Sequence, residues 1–405
     1  MSNLASLVRL EDPNFYLDDP YPVLQQMRQE DPVFHYEPLN MWVMSKYEDI
    51  RYVGRTPEIF SNHDGIFLND FRYGDVTKTF FPATSENIGL LGPPRHKEIR
   101  KIVGAAFTQP ILAEMRQVIR KMCGKMLAPI EAGQTVNWSR QIAEPLPLLV
   151  IALLMGVPLD QYDTLKFFSD EVIKIGSDTT QEEIAEIVGR IAPMEPFFEK
   201  YLAERDRNPT RDLLTVLQQA RRDGLISSET VHMLLSAVLT AGNETTRNTI
   251  NGAIVLLSEH PQQMKLLAAQ PALVKSATEE FLRYLSPVRG FGRTVLQDVE
   301  VRGRKISAGQ RVFNFFMSGN RDEEIFQAPE IFDLARPRDK GNLGFGFGEH
   351  FCIGAALARL EINILFEELM PRFSQVKLVG SPVRDKQLLV NSWEDVRVVF
   401  SRDST

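Results

Sequence analysis

The chain has 405 residues, 43 % of them hydrophobic and 24 % charged, with a formal net charge of −7. Those values fit a globular protein with a large core, and no basic stripe with interleaved aromatics suggests a nucleic-acid partner. Cys123 and Cys352 are the only thiols, so a disulfide framework is not expected and a reducing cytoplasm fits.

In chain order, the first twenty residues lack the apolar core of a signal peptide. Residues 32–36 (PVFHY) and 40–45 (NMWVMS) alternate and predict a β-hairpin. The stretch 61–92 reads as aromatic and loop-rich, and from about 93 to 285 the period is mainly helical. The apolar run 145–159, PLPLLVIALLMGVPL, contains prolines and is too short to span a bilayer, which predicts a buried core helix. Thr180 with Glu183 predicts a capping box. A long helix is expected from near Ser228, ended by Pro261, and an amphipathic one over 272–285, closed by Pro287. Residues 293–316 alternate like a hairpin. A long irregular stretch follows, then a glycine-rich loop around Cys352, a helix to about Leu369 and a strand-like tail, KQLLVNSWEDVRVVFS. The expected fold class is mainly α with a minor β portion, not a doubly wound sheet. One domain is expected over 1–405, with an N-terminal β-containing part at about 15–65 and a helical core at about 93–285 and 354–370.

Several common chemistries lack their motifs. GxGxxG fails because GFGFGEHF has Glu349 at the third glycine position, and GxxxxGK[ST], GxSxG, HExxH and CxxC are absent. The six histidines show no zinc-ligand spacing. Nucleotide, zinc and acyl-enzyme chemistry are therefore not suggested.

The loop 344–354, GFGFGEHFCIG, places Cys352 just ahead of a helix, AALARLEINILFEEL. A sulfur there feels the positive end of the helix dipole and free backbone N–H groups, which predicts a lowered thiol pKa. Gly346, Gly348 and Gly354 let the backbone fold close around it, and Phe345 and Phe351 keep it dry. One buried thiolate is the count for one axial haem position; a structural cysteine beside a turn fits the same residues. In AGNETT (241–246), Ala241 and Gly242 thin one helix face, and Thr245 can bond back to a carbonyl. Glu244 there is either a buried carboxylate on an apolar helix or a solvent-facing one. Glu280 and Arg283 lie one turn apart and can pair; at a surface that contributes only about 0.3–0.5 kcal/mol. His96 and Arg100 share a helix face next to Lys97 and Lys101, which also fits a solvated face.

FGFGEHFCIG resembles the haem-binding loop of the cytochrome P450 superfamily, F-G-x-G-x-H-x-C-x-G, with every fixed position filled. AGNETT resembles that family's oxygen-activation motif, EFLR (280–283) its E-x-x-R, and GNRDEEIFQAPEIFDLAR (319–336) the meander before the cysteine loop. The resemblance runs from about residue 15 to the C-terminus. It departs at Gly92 in GPPRH, where the family often has Asp, which touches a small local contact only.

The resemblance implies the single-domain P450 fold, with haem b between the long central helix and the cysteine-loop helix and Cys352 as the axial ligand of its iron. His96, Arg100, Arg293 and His350 would hold the propionates, and Phe345, Gly346 and Gly354 would border the cofactor. Ala241, Gly242, Glu244 and Thr245 would form the oxygen site, the last two positioning protons. Glu280, Arg283 and Arg336 would form a buried structural network. The implied reaction is insertion of one oxygen atom from O2 into a lipophilic small molecule of terpenoid, steroid or fatty-acid type. Electrons would come from a ferredoxin and its reductase, docking on Lys97, Lys101, Arg116, Arg120, Lys121, Lys125 and Arg359. A cytoplasmic monomer without membrane anchor is expected. The pocket is expected from the 61–92 loop, the 162–200 region, Leu234, Ala237, Val238, Ala241, Val288, Arg289, Phe291 and 388–390, including Leu389. Arg289 would either meet a substrate carboxylate or face outward. A hydrogen-peroxide-dependent peroxygenase and a non-catalytic helical binding protein are the competing readings; the intact Glu244–Thr245 pair argues against the first.

Overall fold

The computed structural model describes residues 4–74, 85–176, 179–337 and 339–402. Helix α1 spans Tyr47–Arg55, α2 Arg95–Gly104, α3 Gln109–Leu127, α4 Pro145–Met155 and α5 Tyr162–Val172. The long helix α6 spans Ser228–Glu259, α7 Val274–Leu285 and α8 Ala355–Leu369. The capping box predicted at Thr180 and Glu183 is present, with both reciprocal bonds made.

Helix α6 has 32 residues, about 48 Å of rise. It starts where the Ser227 hydroxyl accepts the Thr230 N–H, and Pro261 opens the next helix just beyond its end. It packs against α4 and α5 on one side and α7 and α8 on another, and α8 packs on α3. Helix α4 is apolar around nearly its whole circumference and is buried accordingly. Helix α7 ends on Ser286, in the left-handed region at φ 45°, immediately before Pro287.

The strands form small sheets. β1 (Val33–Tyr36) and β2 (Met41–Met44) make the predicted antiparallel hairpin, Val33 opposite Met44. With β3 (Phe60–Ser61), β4 (Phe291–Val295) and β5 (Arg311–Asn314) they build a sheet of order β1-β2-β5-β4-β3. β2 and β5 run parallel, Met41 opposite Arg311. The expected 293–316 hairpin exists at its base as β4 against β5, but Val299–Val301 and Arg304–Ile306 form a separate ribbon inside it. In the tail only Trp393–Asp395 and Arg397–Ser401 are strands; before them the chain turns inward, and Leu389 and Val390 line a cavity. The 61–92 stretch contains a short helix, Leu68–Tyr73, and its residues 75–84 lie outside the described residues. Among the described residues no helix is long and apolar enough to cross a membrane.

Candidate functional site

The cysteine loop is fixed by close backbone approach to α1. Gly346 and Gly348 sit at φ 69° and 82°, where a side chain is strained. A Cβ on Gly348 would overlap the Gly54 carbonyl, and one on Gly54 would lie 2.8 Å from the Phe347 carbonyl oxygen. Gly354 differs from expectation: a Cβ there would sit 3.8 Å from the Cys352 sulfur, an ordinary contact, so the sulfur does not require glycine at that position. The loop closes through Cys352 N–H to the Phe345 carbonyl at 3.0 Å. Phe345 and Phe351 meet edge to face at 6.1 Å, and the Arg359 guanidinium lies 4.4 Å over Phe345.

Cys352 borders a cavity of about 430 Å³ between α6 and α8. Its accessible surface faces that cavity; protein surrounds it otherwise. Burial raises its pKa and outweighs the Gly354 and Ala355 N–H groups, Arg100 and Arg359, all of which pull it down. The expected lowering by the helix terminus is therefore present but loses to desolvation. A coordinated metal ion reverses that outcome, because a ligating thiol is deprotonated outright. Cys123 is buried in the α3 core, as expected of a packing residue, and burial pushes its thiol up to about 12.

The α6 wall carries Leu234, Ala237, Val238, Ala241, Gly242, Glu244 and Thr245. Thr245 Oγ1 donates to the Ala241 carbonyl at 2.7 Å, the expected backward bond. Gly242 has an additional cause: a Cβ there would lie 2.9 Å from Ile151 Cγ1 on α4, so the glycine permits helix–helix contact as well as a thin cavity wall. Glu244 is not solvent-facing but 2 % exposed. Its Oε1 accepts from Arg247 Nη2 and Asn248 Nδ2, each at 2.8 Å, while Oε2 has no hydrogen-bond partner. Burial raises its pKa despite Arg247. On α8, Glu361 also lines the cavity, is buried near Thr246 and has its pKa raised well above the ordinary carboxylate range by desolvation. Sequence reasoning missed Arg247, Asn248 and Glu361; the i+3 and i+4 spacing from Glu244 was the available signal for the first two.

Val288, Phe291 and Leu389 line the cavity as expected, with Ile66, Ile88 and Gly89 from the 61–92 stretch and Val172, Ile173 and Ile191 from the 162–200 region. Arg289 does not. It is 1 % exposed, its guanidinium sits 4.1 Å over the Tyr16 ring, and Nη1 donates to the Gln387 carbonyl. It thus neither meets the cavity nor faces outward. Its own N–H bonds the Leu389 carbonyl at 3.0 Å, fixing the chain so that Val288 points into the cavity and Arg289 into the N-terminal core.

One end of the cavity is cationic. His96, Arg100, Arg293 and His350 all border it, and the two imidazole rings lie 4.1 Å apart. Arg100 Nη2 donates to the Phe351 carbonyl and Arg293 Nη1 to the Gly292 carbonyl, both at 2.6 Å. Neither arginine has a carboxylate partner among the described residues, and burial alone pushes the Arg293 pKa down to about 10. His350 is pushed down to about 2 by burial, Arg293, His96 and Arg100. His96 is buried rather than on a solvated face, and Glu349 Oε1 lies 2.8 Å from its Nδ1; no spacing or motif marks that partner.

Away from the cavity, Glu280 accepts from Arg283 Nε at 2.8 Å and Nη2 at 2.7 Å, and from Arg336 Nε at 3.2 Å. All three side chains are largely buried. The anticipated basic surface is thinner than expected: Arg120 pairs with Glu367 and Glu368, and Arg359 with Glu279 at 2.6 Å. Lys97, Lys101, Arg116, Lys121 and Lys125 are exposed.

A sulfur on the floor, apolar walls and uncompensated buried cations at one end form a donor set that fits haem b, a flat apolar group with one metal and two carboxylates. The family model described as Cytochrome P450 matches residues 162–392. The linalool 8-monooxygenase of Pseudomonas putida is 30 % identical, over 96 % of this chain and 98 % of its own. The steroid C26-monooxygenase of Mycobacterium tuberculosis is 32 % identical, over 97 % of each chain. The solved structure of cytochrome P450-153 from Novosphingobium aromaticivorans superposes with a TM-score of 0.88 at 27 % identity, covering 99 % of this chain and 100 % of that one. Fold, cavity and full-length similarity agree, and the chain belongs to the cytochrome P450 family of haem-thiolate monooxygenases.

Proposed function

We propose that Cys352 is the axial ligand of the haem iron, that His96, Arg100, Arg293 and His350 hold the propionates, and that the enzyme oxidises a lipophilic small molecule of terpenoid, steroid or fatty-acid type. The observation that carries this is the cavity itself: one sulfur, apolar walls and unpaired cations at one end. Haem b, when bound, supplies oxygen activation with two electrons delivered from outside. The chain's own groups bind, exclude water and place protons. Thr245 gives its hydroxyl proton to the Ala241 carbonyl, so toward the cavity it offers lone pairs and accepts a hydrogen bond. Glu244 keeps a proton more readily than an ordinary carboxylate and has one oxygen unbound, which suits a group that hands protons toward Thr245.

The names of the relatives, a linalool and a steroid monooxygenase, support the lipophilic class, as do the apolar side chains of the cavity wall. A ferredoxin with its reductase is the proposed electron source, docking where Lys97, Arg116, Lys121 and Lys125 are exposed. The test is the absorption spectrum of the dithionite-reduced protein with carbon monoxide. A strongly red-shifted Soret band is expected; an imidazole-type band would remove Cys352 as the thiolate ligand. Titrating terpenes, steroids and fatty acids into the ferric protein, and following its spin state, then tests the substrate class. Turnover with peroxide alone, unaided by ferredoxin, would favour the peroxygenase instead.

A further inference from the structure

Glu349 occupies a variable position of the cysteine loop, yet it is not a bystander. The short turn Gly348–His350 carries it back toward α2, where its Oε1 lies 2.8 Å from His96 Nδ1. His96 borders the cavity; Glu349 does not, and approaches the ring from behind. The His96 side chain is 1 % exposed and that of Glu349 20 %. Only Nε2 of His96 is therefore left for the cavity.

A neutral imidazole has one N–H and one lone pair. If Nδ1–H is given to Glu349, neutral His96 presents the cavity with a lone pair, which repels a carboxylate. Only the imidazolium donates at both nitrogens. We propose that Glu349 is a positioning residue that holds His96 as an imidazolium, oriented so that Nε2–H donates to a haem propionate. The proposal rests on the propionate placement given under the proposed function.

The groups around the ring decide its charge. Burial and Arg100 push the His96 pKa down, Glu349 pulls it up, and the protein alone leaves it below the ordinary value. A propionate at Nε2 adds the second upward pull, so the imidazolium sits between two carboxylates. The His350 ring lies 4.1 Å away, on the face of His96 and not at either of the two nitrogens the proposal uses. The ligand atoms of His96, Glu349 and His350 also lie within 4.8 Å of one another. Arg100 and Arg293 act on the same group of side chains, and two guanidinium charges favour an anion over a metal cation there.

The experiment uses the haem-loaded, reduced, carbon-monoxide-bound protein, which is diamagnetic, and reads the imidazole nitrogens of His96 by nitrogen-15 NMR at neutral pH. Wild type should show both nitrogens protonated, and Glu349→Gln only one. The rate of haem transfer to excess apomyoglobin is measured alongside. Glu349→Gln should lose haem about ten-fold faster, the size of one lost charge-assisted bond. In a His96→Gln background the same change should add nothing. A singly protonated His96 in wild type overturns the proposal without any variant having to fold. An equal effect of Glu349→Gln with and without His96 also overturns it. The reduced carbon-monoxide spectrum of each sample separates the two readings: a thiolate band with a neutral His96 refutes Glu349 alone, whereas no thiolate band in wild type refutes the haem placement and this proposal with it.

Discussion

Replacing Glu280 by alanine tests whether its ion pairs are structural or ornamental. At a surface an i, i+3 pair contributes about 0.3–0.5 kcal/mol. Here Glu280 is 3 % and Arg283 2 % exposed at the side chain, and Arg336 12 %. The carboxylate also accepts the Asp333 backbone N–H at 3.0 Å. Its removal leaves two buried guanidinium groups with no counter-charge, which costs about 3–5 kcal/mol. Both arginines keep carbonyl partners, Arg283 those of Asn320 and Pro329 at 2.9 Å, Arg336 those of Gln327 and Ile331 at 2.6 Å. That places the expected loss near the lower end, about 3 kcal/mol, a large share of the ~5–15 kcal/mol typical of a folded protein. Urea unfolding followed by circular dichroism should show the midpoint fall with an unchanged slope. Glu280→Gln, which retains an oxygen acceptor, should lose less. A Glu280→Ala loss under about 1 kcal/mol would mean that solvent reaches the arginines, and the buried-network argument would fail.

Four further outcomes follow from the same geometry. Thr245→Ala removes the acceptor beside the proposed oxygen site, so product per oxygen consumed should fall about ten-fold or more while hydrogen peroxide rises; full coupling in that variant would refute the proton-placing role. Glu361 has its folded pKa raised well above 4.5, so above pH 4.5 the unfolded chain releases that proton while the folded one keeps it. Stability of the wild type should then fall with rising pH by up to about 1.4 kcal/mol per unit until the folded pKa is reached. Glu361→Gln should lack that component, and parallel pH profiles for the two proteins would contradict it. Arg116→Glu should slow reduction by ferredoxin several-fold at low salt and little at high salt. Arg120→Ala, which breaks pairs with Glu367 and Glu368, should lower thermal stability instead; an Arg116 effect insensitive to salt would argue against electrostatic docking.

What the sequence disclosed was local. Helix α6 was readable because Ser227 caps its start and Pro261 lies just past its end, and the β1–β2 hairpin because its strands alternate and are neighbours. The parallel pairing of Met41 with Arg311 was not readable, since nothing local links strands that far apart. The same holds within the site. The loop around Cys352 announced itself by its residues, but the Glu349–His96 contact joins positions 253 apart. Arg289 was misjudged because charge suggests exposure or a ligand, whereas the Tyr16 ring and the Gln387 carbonyl accept it in the core. The thiol pKa was misjudged in direction because dipole and N–H terms can be read from a helix start, while desolvation depends on everything packed around it.

That last difference bears on how the site works. Protein packed around Cys352 raises its thiol pKa, and burial depresses that of Arg293. Each is costly in the form the proposed haem site requires: a bare thiolate at one place, a guanidinium without a counter-charge at another. A ligand with a metal ion for the sulfur and carboxylates for the cations relieves both costs at once. Its binding free energy then adds directly to the stability of the folded state. A ligand with only one of those features leaves the other cost standing. If Cys352 and Arg293 hold the haem as proposed, a preference for a metal-centred dicarboxylate follows from two groups that are each unfavourable without it.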